Sequence, residues 1–347
     1  MNGTALRLGV VGFGKLVQNY YVPAFHRLKD VRVIAVADPL AVRREKAKST
    51  IPLVKTYSSH TELLLHEPLA GILVASPPST HLQIWNDLSK HGIPVFIEKP
   101  FVLPGQLRQV VTTRPERSPL MVNFNRRLWP MYQRLRELVQ SGRIGDIEGA
   151  EFRLHVNIRP WISVTEHRLW PSEGGALYDL GSQVLDLIYF VFDKEPIRIQ
   201  TECPSANQIT LAVELPDGLT VRAHVGYDHH NRESIFLRGS KGGIRIHNPN
   251  MTIHLLKKDQ SAATLPSVED WMMLGYRALR RERSMLRYTI QASLSSFIEA
   301  IRARKRFTPG FEDAIRNALW LETAHQSLQT GKPVLVHDIK EQSACLM

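Results

Sequence analysis

Apolar positions in the first 120 residues fall into short runs separated by amphipathic stretches. Leu6–Val11, Val31–Ala37, Gly71–Ala75 and Pro94–Ile97 are rich in β-branched residues and bounded by Gly, Pro or Asp, which predicts strands. Between them, Lys15–Leu28, Leu40–Ser49, His60–His66 and Thr80–His91 carry helical periodicity, with Ser79 placed to cap the last. Strands alternating with helices imply βαβ units and a parallel sheet covered on both faces. Past residue 120 the rhythm changes. A helix from Met131 to Ser141 precedes a strand from Ile147 to Val156 and an irregular stretch holding Pro160, Trp161 and Pro171. A helix from Gly174 to Phe192 follows. Then come Ile197–Thr201, Ile209–Leu215, Leu219–Val225 and Ser234–Arg238, strand-like runs with no helix between them. Pro216-Asp217-Gly218 joins two of these as a hairpin. Consecutive strands without crossovers predict a mostly antiparallel sheet. Two helices, 276–304 and 311–328, end the pattern. The expected fold is α/β: residues 1–121 a parallel dinucleotide-type domain, residues 122–347 an α+β domain on an open, mostly antiparallel sheet.

A chain of 347 residues exceeds the size at which one core usually keeps growing, which agrees with two domains. The 43% apolar content excludes wholesale disorder. No apolar run approaches the roughly 18 residues of a membrane span, and Leu6–Val11 already reads as a strand rather than a leader, so no membrane partner is expected. Cys203 and Cys345 are too few for a disulfide framework or a Cys-rich zinc site, and a reducing cytoplasm is the expected home. Asp228-His229-His230 reads as a solvated turn, because three adjacent side chains on one extended segment do not converge on a metal.

The first strand runs into Gly9-Val10-Val11-Gly12-Phe13-Gly14 and a helix opening at Lys15. Glycines there permit a tight turn and close approach to a pyrophosphate, whose charge meets the helix N-terminus. Val17 stands where a third small residue is usual. Asp38 ends the second strand, where a carboxylate accepts hydrogen bonds from ribose hydroxyls and repels a 2′-phosphate, favouring NAD. Arg43 and Arg44 keep NADP open, since a guanidinium neutralises a phosphate.

These features, with Ala37-Asp38-Pro39, Ser76-Pro77-Pro78 and His81, Glu98-Lys99-Pro100, Asn123-Phe124-Asn125-Arg126-Arg127 and Gly174-Gly175-Ala176-Leu177-Tyr178-Asp179-Leu180-Gly181, fall in a recognisable order. The chain resembles the Gfo/Idh/MocA oxidoreductases, the family of glucose–fructose oxidoreductase and inositol dehydrogenase, over nearly its whole length. The resemblance implies a Rossmann domain, NAD or NADP as cofactor, and hydride transfer on a secondary alcohol or ketone of a sugar, cyclitol or nucleotide-linked sugar. It implies Lys99 at the substrate oxygen and Asp179 as its catalytic partner. It assigns cofactor contacts to Gly9, Gly12, Phe13, Gly14, Lys15, Leu16, Asp38, Ser76, Pro77, Pro78, His81, Glu98, Lys99 and Arg168. Arg127, Trp161, Asp179 and Gln183 are the expected substrate contacts. A homodimer or homotetramer, formed through the open face of the second sheet, is also implied.

The chemistry gives Lys99 a reason. Oxidising an alcohol requires removal of the hydroxyl proton, and the reverse reaction needs an acid. One departure stands out: four residues after Asp179 the family carries His, or Tyr in some members, and this chain has Gln183. An amide hydrogen-bonds a substrate oxygen but supplies no proton. Loss of that group leaves two other readings open, a dinucleotide-binding regulator without turnover and an NAD-assisted hydrolase or lyase with no net redox.

The formal charge of +11 is concentrated. Between Tyr276 and Arg306 lie nine basic residues against Glu282 and Glu299. No reading helix or aromatic platform accompanies them, so no nucleic-acid partner is expected, and an anionic substrate or acidic partner surface suits them better.

Overall fold

Leu6–Val11 (β1) alternates Leu8 and Val10 toward one side of a sheet and Gly9 and Val11 toward the other, and all four are buried. A strand covered on both faces reads as a continuous apolar run rather than an alternating one. β1 pairs in parallel with Val31–Ala37 (β2) and Gly71–Val74 (β4). Lys55–Tyr57 (β3), Val95–Ile97 (β5) and Leu120–Val122 (β6) complete a six-stranded parallel sheet ordered β3-β2-β1-β4-β5-β6. Strand order reverses between β1 and β4, and ligands of open α/β sheets bind at the carboxyl ends of the strands flanking such a point. The computed structural model describes residues 5–111, 119–157, 173–205, 207–247, 252–258 and 285–344.

Helices Val22–Phe25 (α1), Ala41–Thr50 (α2), His60–His66 (α3), His81–Ser89 (α4) and Leu107–Val111 (α5) connect these strands. Ser79 does not cap α4. Residues Pro78–Thr80 form a 3₁₀ turn, and the Ser79 amide donates instead to Glu173 at 3.1 Å, 94 residues further along the chain. Ser59 does cap α3, accepting the Glu62 amide.

Pro130–Gln140 (α6) leads to Ile147–Asn157 (β7) and later to Ser182–Phe192 (α7). Arg198–Ser205 (β8), Gln208–Glu214 (β9), Thr220–Asp228 (β10), Arg232–Gly239 (β11), Gly242–His247 (β12), Thr252–Leu256 (β13) and Val334–Leu335 (β14) join β7. They form an eight-stranded sheet ordered β13-β12-β11-β7-β10-β9-β8-β14. Every pairing is antiparallel except β7 with β10. Val221, Ala223 and Val225 of β10 face the core under α7, while Thr220 and Arg222 are exposed on the other side.

β12 and β13 extend this sheet beyond the strands read from the sequence. A Cβ on Gly242 would lie 2.5 Å from the Leu256 carbonyl oxygen and one on Gly243 2.9 Å from that of Leu237. Glycine is needed there because neighbouring backbones approach closely.

The expected boundary at 121/122 cuts β6. Helix Met285–Ala303 (α8) also returns to the first sheet, burying Ile290, Leu294 and Phe297 with Leu8, Val10, Phe13 and Phe96. The Phe96 and Phe297 rings meet edge-on at 5.5 Å. Helices Phe311–Thr330 (α9) and Val336–Ala344 (α10) close the described chain. No helix among the described residues is long and apolar enough to cross a membrane. Arg277, Arg280, Arg281 and Arg283, nearly half the basic cluster, lie outside the described residues.

Candidate active site

The loop after β1 packs on the loop after β4. The Gly12 amide donates to the Ala37 carbonyl at 2.8 Å and Ala75 donates to Val11 at 2.9 Å. Gly12 adopts φ +88°, and a Cβ on it would sit 2.9 Å from the Ala75 backbone. Gly12 is therefore glycine on both conformational and steric grounds. A Cβ on Gly14 would meet nothing within 4 Å, so Gly14 opens onto a cleft of about 1330 Å³. Gly12, Gly14, Lys15, Leu16, Asp38, Ser76, Pro77, Pro78, Glu98, Lys99, Glu173 and Asp179 line this cleft. Its position at the sheet's carboxyl edge, and the open cradle over Gly14, fit the pyrophosphate of a dinucleotide.

Asp38 is 1% exposed, and its carboxylate accepts the Phe13 amide at 2.8 Å and the Leu40 amide at 2.9 Å. It therefore ties the glycine loop to the end of β2, with one further lone pair on each oxygen for a ribose hydroxyl. Arg43 lies 3.6 Å from the same carboxylate, whereas Arg44 donates to the Asp38 and Pro39 carbonyls at 2.8 Å each.

Three expected cofactor contacts serve the scaffold instead. Gly9 packs inside β1 under Leu63 and Leu69, and the Phe13 ring is fully buried beside Tyr21. His81 is fully buried, its ring nitrogens 2.9 Å from the Pro100 carbonyl and 3.0 Å from that of Ser76. Burial pushes its imidazole below the ordinary range, against the pull of those carbonyls. His81 thereby staples the loops after β4 and β5 to each other.

Two π-turns aim side chains at the end of β5. Val17–Tyr21 brings the Tyr21 hydroxyl to the Glu98 carboxylate, and Leu177–Gly181, leading into α7, brings Asp179 to Lys99. Such insertions recur at functional sites because the widened turn re-aims one residue. Asn123 donates to the Tyr21 hydroxyl at 2.8 Å and to Glu98 at 2.9 Å, and Ser293 of α8 donates to Asn123 at 2.9 Å. Burial and the neighbouring Glu98 carboxylate hold the Tyr21 phenol well above its usual range, so it remains a donor. The Lys99 ammonium donates to the Asp179 carboxylate and, at 2.9 Å, to the Asp179 carbonyl. The Tyr227 hydroxyl donates to the other Asp179 oxygen at 3.1 Å. Lys99 and Asp179 side chains are only 9% and 8% exposed, and the peptide following Lys99 is cis.

Gln183 lies one turn beyond Asp179, and its carbonyl oxygen accepts from Arg126. Arg127 does not reach the cleft as expected. Its guanidinium donates to Asp186 at 2.6 and 3.0 Å and to Asp313 at 3.0 Å, a buried triad joining the Asn125–Leu128 turn, α7 and α9. Trp161 and Arg168, the other substrate and cofactor candidates of the irregular stretch, lie outside the described residues. At Gly174 the Tyr178 ring passes within 1.8 Å of where a Cβ would stand, so glycine is required there by a neighbouring side chain. The sequence reading missed Glu173, Tyr21 and Tyr227. Glu173 had a signal, an acid immediately before Gly174-Gly175, while Tyr21 and Tyr227 sit in segments indistinguishable from apolar helix and strand.

Residues 6–124 match the family described as "Oxidoreductase family, NAD-binding Rossmann fold", and residues 132–245 match the GFO/IDH/MocA C-terminal domain. The rhizopine catabolism protein MocA of Rhizobium meliloti is 27% identical over 200 residues, 57% of this chain and 60% of that protein. Inositol 2-dehydrogenase of the same species is 21% identical over 355 residues, 95% of this chain and 99% of its own. Among solved structures, the WlbA dehydrogenase of Bordetella pertussis, in complex with NADH and UDP-GlcNAcA, superposes with a TM-score of 0.81 at 16% identity, covering 96% of this chain and 99% of that one. Both halves of the chain and the cleft between its glycine loop and the Lys99–Asp179 pair thus agree: this protein belongs to the Gfo/Idh/MocA family of oxidoreductases, with an NAD-binding Rossmann fold.

Proposed function

We propose that the protein is a dehydrogenase of a cyclitol, sugar or nucleotide-linked sugar, oxidising a secondary alcohol or reducing the corresponding ketone. The observation that carries this is the Lys99–Asp179 pair at the carboxyl edge of β5, facing the same cleft as the glycine loop. NAD bound over Gly12 and Gly14 supplies the hydride acceptor. Lys99 holds the substrate oxygen. In oxidation the hydroxyl proton passes to the Lys99 nitrogen as one of its own passes to the Asp179 carboxylate; in reduction the movement reverses and the ammonium protonates the nascent alkoxide. Tyr227 steadies the Asp179 oxygen that Lys99 does not hold. Asp38 meets the adenosine ribose, Glu98 is fixed by Tyr21 and Asn123 beneath the reacting edge, and Gln183 offers a hydrogen bond to the substrate without a proton.

Inositol 2-dehydrogenase points to cyclitols, and the ligand of WlbA to nucleotide-linked, anionic sugars. Association into a homodimer or homotetramer uses the open face of the second sheet, where Arg153, Arg222 and Arg245 are exposed. The test is steady-state absorbance at the reduced-nicotinamide band with NAD and a panel of inositols, aldoses and UDP-sugars. Turnover with at least one class is expected; tight NAD binding without turnover of any would overturn the reading.

A further inference from the structure

Arg126 is more tightly built in than a cleft-facing arginine needs to be. Its side chain is 11% exposed and lies 4.8 Å from the centroid of the Trp129 ring. It pairs with Glu233 of β11, itself 8% exposed, and donates to the Tyr132 hydroxyl of α6 at 3.3 Å. Its Nε donates to the Gln183 carbonyl oxygen. The Gln183 amide nitrogen, by contrast, bonds nothing among the described residues. A guanidinium has donors only and stays charged, so it sets the sense of whatever it touches.

We infer that Arg126, anchored by Glu233 and Trp129, is a positioning residue that holds the Gln183 carbonyl oxygen and leaves the amide NH2 as the group offered to substrate, so that the substrate atom meeting position 183 is an acceptor: a carbonyl, alkoxide or carboxylate oxygen. This deepens the dehydrogenase reading and rests on it for its catalytic meaning. A histidine at position 183 would accept the Arg126 Nε–H on one nitrogen and be fixed as the neutral tautomer with its other N–H outward. Burial pushes the Glu233 carboxyl up while Arg126 pulls it down, so the pair is mutually dependent.

The charged and titratable groups around this contact are Arg126, which touches Gln183, with Glu233 on β11 and Tyr132 on α6 holding Arg126; one turn earlier Asp179 of the Leu177–Gly181 turn is held by Lys99 and Tyr227, and Asp186, further along α7, is held by Arg127. The experiment is an NMR titration of Gln183→His, in the Arg126 background and in Arg126→Met/Glu233→Gln, which removes the pair together. With Arg126 present the new histidine should titrate at least one unit below its ordinary value of about 6.5. Without the pair it should rise by at least one unit. A histidine titrating normally beside Arg126, or identically in both backgrounds, overturns the inference. Should Gln183→His not fold, Gln183→Glu reads the same field: its carboxyl should titrate below about 4.3 beside Arg126 and rise without it. An unchanged value overturns the inference equally. Neither titration requires turnover. An enzyme silent toward every polyol would therefore sink the dehydrogenase reading alone, and an unshifted residue 183 in an active enzyme would sink the positioning role alone.

Discussion

Lys99 and Asp179, 80 positions apart in the chain, meet through two hydrogen bonds from one ammonium group, one to the carboxylate and one to the backbone carbonyl. Two contacts fix the direction of the lysine as well as its charge. A side chain with four rotatable bonds is otherwise a poor positioning device, because ordering it costs roughly 1.5–2 kcal/mol.

Replacing Lys99 with Met should therefore remove both the substrate-oxygen contact and the proton path. A loss of about 10²–10⁴-fold in kcat is expected, with NAD affinity changed far less. Fluorescence titration of the cofactor beside steady-state turnover separates the two. Asp179→Asn keeps the shape but removes the proton acceptor, and should lower kcat more than it raises KM.

The two glycines of the nucleotide loop should respond differently. Gly12→Ala forces φ +88° on an L-residue and drives a Cβ into Ala75, so it should destabilise the fold by about 1–3 kcal/mol. Gly14→Ala meets no protein atom, so its Tm should stay unchanged while NAD affinity falls at least tenfold. Thermal melts with and without NAD check both.

Arg127 was expected at the substrate and instead closes a buried triad with Asp186 and Asp313. Arg127→Met leaves the buried Asp186 carboxylate without its partner, while Asp313 keeps Arg316 at 3.0 Å; breaking such a buried pair typically costs about 3–5 kcal/mol. The urea midpoint should drop accordingly, with KM unchanged in the folded fraction.

Glu67 links pH to stability at both extremes. Its carboxylate is buried against Lys55 at 2.8 Å and the Tyr57 hydroxyl at 2.5 Å. Hydrogen bonds from Lys55 and Tyr57 hold it below the usual carboxylate range, despite burial. Its contribution is thus complete above the unfolded value of about 4.3 and is lost as pH falls through the folded one. Tyr57 is raised by burial and by Glu67 to about 12, so its contribution is complete below about 10 and is lost as pH rises toward 12. Glu67→Gln should flatten both limbs of the stability–pH curve measured by urea unfolding.

Much of this was legible in the chain. Alternating strands and helices and the glycines at 12 and 14 announce themselves because local geometry demands their residue types, and Asp38 was readable at the end of a strand. Lys99 and Asp179 were singled out by the resemblance to the family, not by local geometry. Arg127 misled because an arginine paired with distant carboxylates looks the same in sequence as one awaiting an anionic ligand. The strands Gly242–His247 and Thr252–Leu256 were not read from the sequence, because glycine required by close strands looks like glycine required by a turn. Tyr21 reaches Glu98 only through a π-turn, whose extra residue leaves no periodic trace. α8 packs on a sheet that begins about 280 residues earlier, a choice made by the shape of the whole fold.

Single-turnover stopped-flow at the reduced-nicotinamide band, with NAD-saturated enzyme and a panel of inositols and UDP-sugars, tests the central claim most directly. The Lys99–Asp179 account predicts a burst of reduced cofactor with at least one polyol, slowed at least 100-fold in Lys99→Met. An equal burst in Lys99→Met, or none in the native enzyme with NAD tightly bound, would contradict it.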